Sequence, residues 1–285
     1  MIWILFSLLS ALFDGLRDFF SKIYTKKVNV NVIPFCIFGF SVLLLIPIVI
    51  FQGIPTLTPR FFLAIFISGS LNIIAYQFFF HGIKADDVSL SIPFISFVPA
   101  FSIITSAIFL GEKVPFKGII GILVIVFGSY LLNIDLKKGF LSPFKAIFRR
   151  KGPRFVLITA ALWSICINFD KIGTGIGGVY FYLLINSIYL FLGFSVIVGI
   201  KRVNIKRQIS KNYKGLLLIS LVAVLAVITF FIAFQDNLIS YVTAIKNLGP
   251  LSTVTLGAIF LKEKNFKKRI LGSIVMFIGV LFIVL

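Results

Sequence analysis

The sequence predicts an all-α integral membrane protein of ten transmembrane helices, built as two five-helix halves. Three observations predict it. Hydrophobic residues make up 59% of the 285-residue chain and charged residues only 13%, too little polar surface for a soluble protein. Apolar runs of roughly 20 residues, the length a helix needs to cross the hydrocarbon, recur from end to end. The second half of the chain repeats the first.

The runs fall at 2–23, 32–52, 61–80, 88–110, 116–134, 154–171, 179–200, 214–234, 239–261 and 268–285. The first has no small-residue cleavage site after it and is expected to be a retained helix. It contains "DGLRDFFSK", where Asp14, Asp18 and Lys22 are spaced i, i+4, i+8 and Arg17 lies within a turn of both acids, so all four share one helical face. Their charges cancel, which lowers an insertion cost of roughly 2.5–3.5 kcal/mol per isolated charge. Two readings are open: Asp14, Arg17 and Asp18 line a central cavity or gate, or the cluster snorkels at the helix end. Lys22 suits the second, whereas Asp14 lies too deep for it.

Run 2 is apolar. Run 3 carries Asn72, Tyr76 and Gln77, run 4 carries Ser91 and Ser96, and run 7 carries Asn186 and Tyr189. All are cavity candidates, although interhelical hydrogen bonding explains such residues equally well. Pro93 and Pro99 in run 4 and Pro250 in run 9 are expected to bend their helices. Glu112 and Glu263 close runs 4 and 9 and read as structural, fixing the turn into the next helix. Run 6 ends on Asn168, Asp170 and Lys171, where the alternatives are a second charged cluster and the exposed start of a loop, "DKIGTGIGG". Run 9 carries Lys246 about seven residues in, beside Asn247 and Tyr241. A lone ammonium some 10 Å along a helix either snorkels or binds an anionic group.

Shifted by 151 residues, "AIFLGEKVPFKGIIGILVIVFG" (107–128) falls on "AIFLKEKNFKKRILGSIVMFIG" (258–279), with 11 of 22 positions identical. The matches include Glu112 with Glu263, Gly121 with Gly272 and Gly128 with Gly279, while Pro99 falls on Pro250. With a one-residue gap, "SALFDGLRDFFSKI" matches "AALWSICINFDKI" and places Lys22 on Lys171. The chain therefore divides into a repeat over 2–134, a basic linker over 135–153 and a second repeat over 154–285. Five crossings per repeat force the second copy to enter the membrane in the opposite sense, giving inverted repeats around a midplane site.

The stretch "GIKADDVSLSIPFISFVPAFSIITSAIFLGEKVPFKGIIGILVIVFGSYLL" and its second-half counterpart resemble the EamA repeat of the drug/metabolite transporter superfamily. "ALWSICINFDKIG" and "YVTAIKNLGPLSTVTLGAIFLKEK" are similar to one subgroup of it. The resemblance implies two inverted five-helix EamA-type repeats, a cavity lined by helices 1, 3, 4, 6, 8 and 9, and a plasma-membrane secondary transporter of a small metabolite. An amino-acid-like or other polar or amphipathic solute, moved outward, is the expectation. The alternatives are a flippase for a lipid-linked or amphipathic solute, and a membrane scaffold without transport. An enzyme is not expected, because no nucleophile–base or metal-ligand cluster is visible. Nor is ATP hydrolysis, since there is no Walker motif. The charged residues suggest a zwitterionic or anionic solute, with proton coupling through Asp14, Asp18 or Asp170 as a further hypothesis.

The net charge of +19 does not point to nucleic acid, because Lys and Arg fall in the short loops. Loops after odd-numbered runs hold 22 of them and loops after even-numbered runs five, which places both termini outside. The family resemblance places them in the cytoplasm. Membrane lipids and a small-molecule substrate are the expected partners; no cofactor or metal is expected. Cys36 and Cys166 suit neither a disulfide framework nor a metal site. "GTGIGG" (173–178) follows a membrane run and not a strand, so it does not predict a dinucleotide site. The Asp86–Asp87 pair lacks further acids, and His81 has no partner at ligand spacing.

Overall fold

A computed structural model describes residues 2–25, 27–86, 91–133, 149–235, 237–249 and 266–284. Among them are α1 (Ile2–Tyr24), α2 (Val32–Gln52), α3 (Pro59–Ala85), a 3-10 helix (Ile92–Phe97), α4 (Val98–Leu110) and α5 (Phe116–Asn133). The second half supplies α6 (Lys151–Gly177), α7 (Val179–Ile200), α8 (Ile205–Phe234), α9 (Ile239–Lys246) and α10 (Phe266–Val284). No strand occurs among the described residues.

Helices stand at all ten apolar runs, yet among the described residues only five, α2, α3, α6, α7 and α8, are long and apolar enough by themselves to cross a membrane. The charges at Asp14, Arg17, Asp18 and Lys22 keep α1 from that set. Run 4 is split, because Pro99 supplies no N–H and the preceding turns close as a 3-10 helix. Pro250 and Glu263 lie outside the described residues.

The bundle faces its apolar side outward. On α1, Leu5, Leu8 and Leu12 are exposed while Ser7, Ser10 and Asp14 are buried. Exposed stripes recur as Leu43, Ile46 and Ile50 on α2 and as Leu217, Leu221 and Leu225 on α8. Continuous apolar stripes at helical spacing match lipid and not water.

The main helix contacts pair the halves: α1 with α8, α3 with α6, α2 with α7 and α5 with α10. Exchanging each helix for its repeat counterpart turns the α1–α8 contact into α6–α3 and leaves the other two unchanged. A hydroxyl meets a partner-helix carbonyl at both exchanged seams. Ser10 Oγ donates to the Ala226 carbonyl at 2.9 Å, whereas Thr159 Oγ1 donates to the Phe155 carbonyl of its own helix at 2.9 Å and lies 3.3 Å from the Ala75 carbonyl. The offset of 151 lays Ala75 on Ala226, and Thr159 lies one residue before Ala160, on which the gapped repeat match lays Ser10.

The repeated glycines form the α5–α10 seam. A Cβ added at Gly121 would sit 2.8 Å from the Gly279 carbonyl oxygen, and one at Gly128 2.9 Å from that of Gly272. Only glycine lets two helix backbones approach this closely.

Two helices differ from expectation. Run 6 continues through "DKIGTGIGG" to Gly177, so Asp170 and Lys171 lie in a helix and not at an exposed loop start. Its glycines sit against rings, Gly173 on Tyr182 and Gly177 on Phe61, and packing holds the helix where propensity would end it. Gly178, at φ +71, turns the chain into α7. Helix α8 starts nine residues before the apolar run, with Asn204 capping Arg207 N–H at 3.0 Å and a non-helical Asn212 inside.

Candidate functional site

A cavity of about 150 Å³ lies between the halves. The first half contributes Asp14, Gly15, Arg17 and Asp18 from α1, Asn72 and Tyr76 from α3, Ile95 from the 3-10 helix and Val98 from α4. The second half contributes Trp163, Cys166, Ile167 and Asp170 from α6, Val227, Phe230 and Phe231 from α8, and Thr243, Lys246, Asn247 and Gly249 from α9 and just beyond it. These are the helices the family resemblance implies. A smaller cavity of about 80 Å³ adjoins it towards α2 and α7 and includes Asn186. Arg17, Asn72, Tyr76, Asp170, Val227 and Phe231 line both.

Ion pairs organise one wall. Arg17 contacts Asp14 at 2.6 Å and Asp18 at 2.9 Å. Lys246 reaches from α9 to the other Asp14 oxygen at 2.9 Å, with its Nζ 4.0 Å from the Phe230 ring centroid. Its ammonium is therefore neutralised across the two halves and stacked on an aromatic face. Asn247 Nδ2 donates to the Ser96 carbonyl at 3.1 Å, a second link from α9 to the first half.

Asp170 is held differently. Its Oδ1 accepts from Ser68 Oγ and from Tyr182 OH, the latter at 2.6 Å, while Asn72 Nδ2 donates to Ser68 Oγ at 3.0 Å. Among the described residues no Lys or Arg comes within ion-pair distance of this buried carboxylate.

Several sequence candidates lie elsewhere. Gln77 donates to Asn31 Oδ1 at 2.6 Å, and Tyr189 OH bonds Ser70 at 2.8 Å. Asn168 Nδ2 donates to the Ser164 carbonyl at 2.7 Å, and its buried Oδ1 has no hydrogen-bond partner among the described residues. Ser96 Oγ bonds Ser129 Oγ, and Tyr241 packs with the α5–α10 cluster. Ser91 is buried away from both cavities, and the side chains of Pro93 and Lys22 lie outside the description. The turn after α4 is made by Gly111 at φ +67. Glu112 instead reaches the other half, accepting from Lys171 Nζ at 2.8 Å and from Ile239 N–H at 3.2 Å, while Lys171 also donates to the Asn237 carbonyl at 2.5 Å. Sequence reasoning missed Trp163, Phe230, Phe231, Ser68 and Tyr182; among 35 phenylalanines, none is marked out by spacing.

Lipid-facing stripes around a charged interior define a multi-pass integral membrane protein. The EamA-like transporter family model matches residues 1–134 and again residues 150–285, and the chain belongs to that family. It is 28% identical over 138 residues to "Uncharacterized protein MJ1333.1" of Methanocaldococcus jannaschii, a match covering 46% of this chain and 96% of that one. That relative is thus about as long as one half of this chain. A solved structure described as "Crystal structure of protein" superposes with a TM-score of 0.74 at 15% identity, covering 99% of this chain and 98% of the other. It has the same fold.

Proposed function

We propose that the chain is a plasma-membrane secondary carrier that exports a small polar or amphipathic metabolite by alternating access between two inverted five-helix halves spanning the membrane ten times. The observation that carries this reading is the charged cavity between the halves, where Asp14 of one half pairs with Lys246 of the other. Buried charges are costly, and in membrane helices they mark substrate or ion pathways. A scaffold would gain stability from an apolar filling of the same space. The paired helices suit a rocking motion, because each half contacts the other through equivalent surfaces.

The test is counterflow in proteoliposomes preloaded with amines, amino acids, nucleosides or organic acids. Protein-dependent accumulation of a labelled solute, reduced in Asp14→Asn and Lys246→Gln, is the expected result. No accumulation of any solute above protein-free liposomes contradicts the proposal.

A further inference from the structure

We infer that the cavity takes an amine, a monocation with a compact apolar body of about one ring, whose ammonium binds at Asp170. The inference rests on reading this cavity as the carrier's substrate site and assigns that site a substrate class.

Charge decides against the anionic or zwitterionic solute suggested by the sequence. The lining side chains carry three carboxylates, Asp14, Asp18 and Asp170, against two cations, Arg17 and Lys246. Both cations are engaged, Arg17 by Asp14 and Asp18, and Lys246 by Asp14 and the Phe230 ring. An incoming carboxylate would have to break one of these pairs and leave an aspartate uncompensated, a costly exchange out of water. Among the described residues Asp170 has only hydroxyl hydrogen-bond partners and no cation at ion-pair distance, so its carboxylate is the acid of the lining left to pair with an incoming cation.

The walls fit the rest of such a molecule. Tyr76, Trp163, Phe230 and Phe231 surround the space, and aromatic faces attract ammonium groups while packing apolar bodies. The Lys246 ammonium already rests on one of these rings, at 4.0 Å. A cavity near 150 Å³ matches the size that accepts a benzene-sized molecule. Asp170 lies where the two cavities meet, so an ammonium there leaves the larger cavity for the ring. Asn186, whose buried Oδ1 has no hydrogen-bond partner among the described residues, adds an acceptor from the smaller one.

The experiment measures binding of one skeleton in four charge states to the purified full chain in detergent by calorimetry. The probes are phenethylamine (cation), phenylalanine (zwitterion), 3-phenylpropionate (anion) and 2-phenylethanol (neutral). Phenethylamine is expected to bind roughly tenfold or more tighter than the others, as a charge-assisted bond to a buried carboxylate requires. Asp170→Asn is expected to abolish that preference, whereas Asp86→Asn, which lies outside both cavities and contacts Arg150 and Gly152, leaves it intact. The wild-type series decides the substrate class even if Asp170→Asn does not fold. Equal or tighter binding of the anion or zwitterion, no binding of phenethylamine up to its solubility, or unchanged preference in a folded Asp170→Asn variant would each overturn the inference. Counterflow separates the two claims. Amine binding without counterflow removes the carrier reading and leaves the amine site, while counterflow of a solute other than amines does the reverse.

Discussion

Replacing Gly121 by alanine places a methyl group into the close backbone contact between α5 and α10. Its Cβ would meet the Gly279 carbonyl oxygen at 2.8 Å, and in the mirror change the Cβ of Gly279→Ala would meet the Gly121 oxygen at 2.7 Å. Carbon and carbonyl oxygen normally stay about 3.3 Å apart or more, an overlap of roughly 0.5 Å. The obstructing atom is backbone and cannot rotate aside, so α5 and α10 must separate. Overpacking of this kind costs about 1–3 kcal/mol, roughly a 5- to 150-fold loss in the folding equilibrium. The assay is reversible unfolding of the purified full chain in mixed micelles by increasing sodium dodecyl sulfate, followed by helical circular dichroism. Gly199→Ala is the reference, since nothing lies within 4 Å of a Cβ there, and the intrinsic helix gain of Gly→Ala has the same sign in both variants and is if anything larger inside α5. If Gly121→Ala is as stable as Gly199→Ala to within about 0.5 kcal/mol, the glycine seam does not hold the two helices as described.

Three further outcomes are expected. Lys171→Met strips Glu112 of its cation and should lower stability by about 1–3 kcal/mol in the same assay, with Glu112→Gln milder because its amide oxygen still accepts the Ile239 N–H. Lys246→Met should destabilise the chain, and adding Asp14→Asn should recover part of the loss, a coupling of about 0.5–3 kcal/mol by double-mutant cycle; strict additivity would show that the pair does not form. Ser10→Ala deletes an interhelical bond and should cost about 1 kcal/mol, whereas Thr159→Val should cost less, because the Thr159 hydroxyl bonds mainly within its own helix. A larger loss in Thr159→Val than in Ser10→Ala would argue against this assignment.

The face of α1 was legible in the sequence because its charges recur at helical spacing opposite Leu5, Leu8 and Leu12. The halves were legible because Glu112, Gly121 and Gly128 recur in register. The glycines' purpose was not, since only the three-dimensional crossing shows which backbone each one meets. Lys246 stood out as a lone charge, but its partner Asp14 lies almost at the other end of the chain, and local pattern carries no trace of such a contact. The full length of α6 was hidden for the opposite reason: "GTGIGG" signals a break by propensity, and only the rings of Tyr182 and Phe61 against its glycines explain the continued helix. Asp170 was visible as a charge, while Ser68 and Tyr182, which hold it, resemble any other polar residue of a membrane bundle.

Alternating access itself is most directly tested with a single reporter thiol where the two cavities meet. Val227 lines both and is only partly buried, so Val227→Cys in a Cys36→Ser, Cys166→Ser background places that thiol on the proposed route. The protein is reconstituted in one orientation and exposed to a membrane-impermeant methanethiosulfonate reagent from outside, and in a parallel sample from inside. Alternating access predicts labelling from each side, with a substrate that favours one state raising labelling on one side and lowering it on the other. Labelling confined to one side under all conditions, or absent from both, would contradict it.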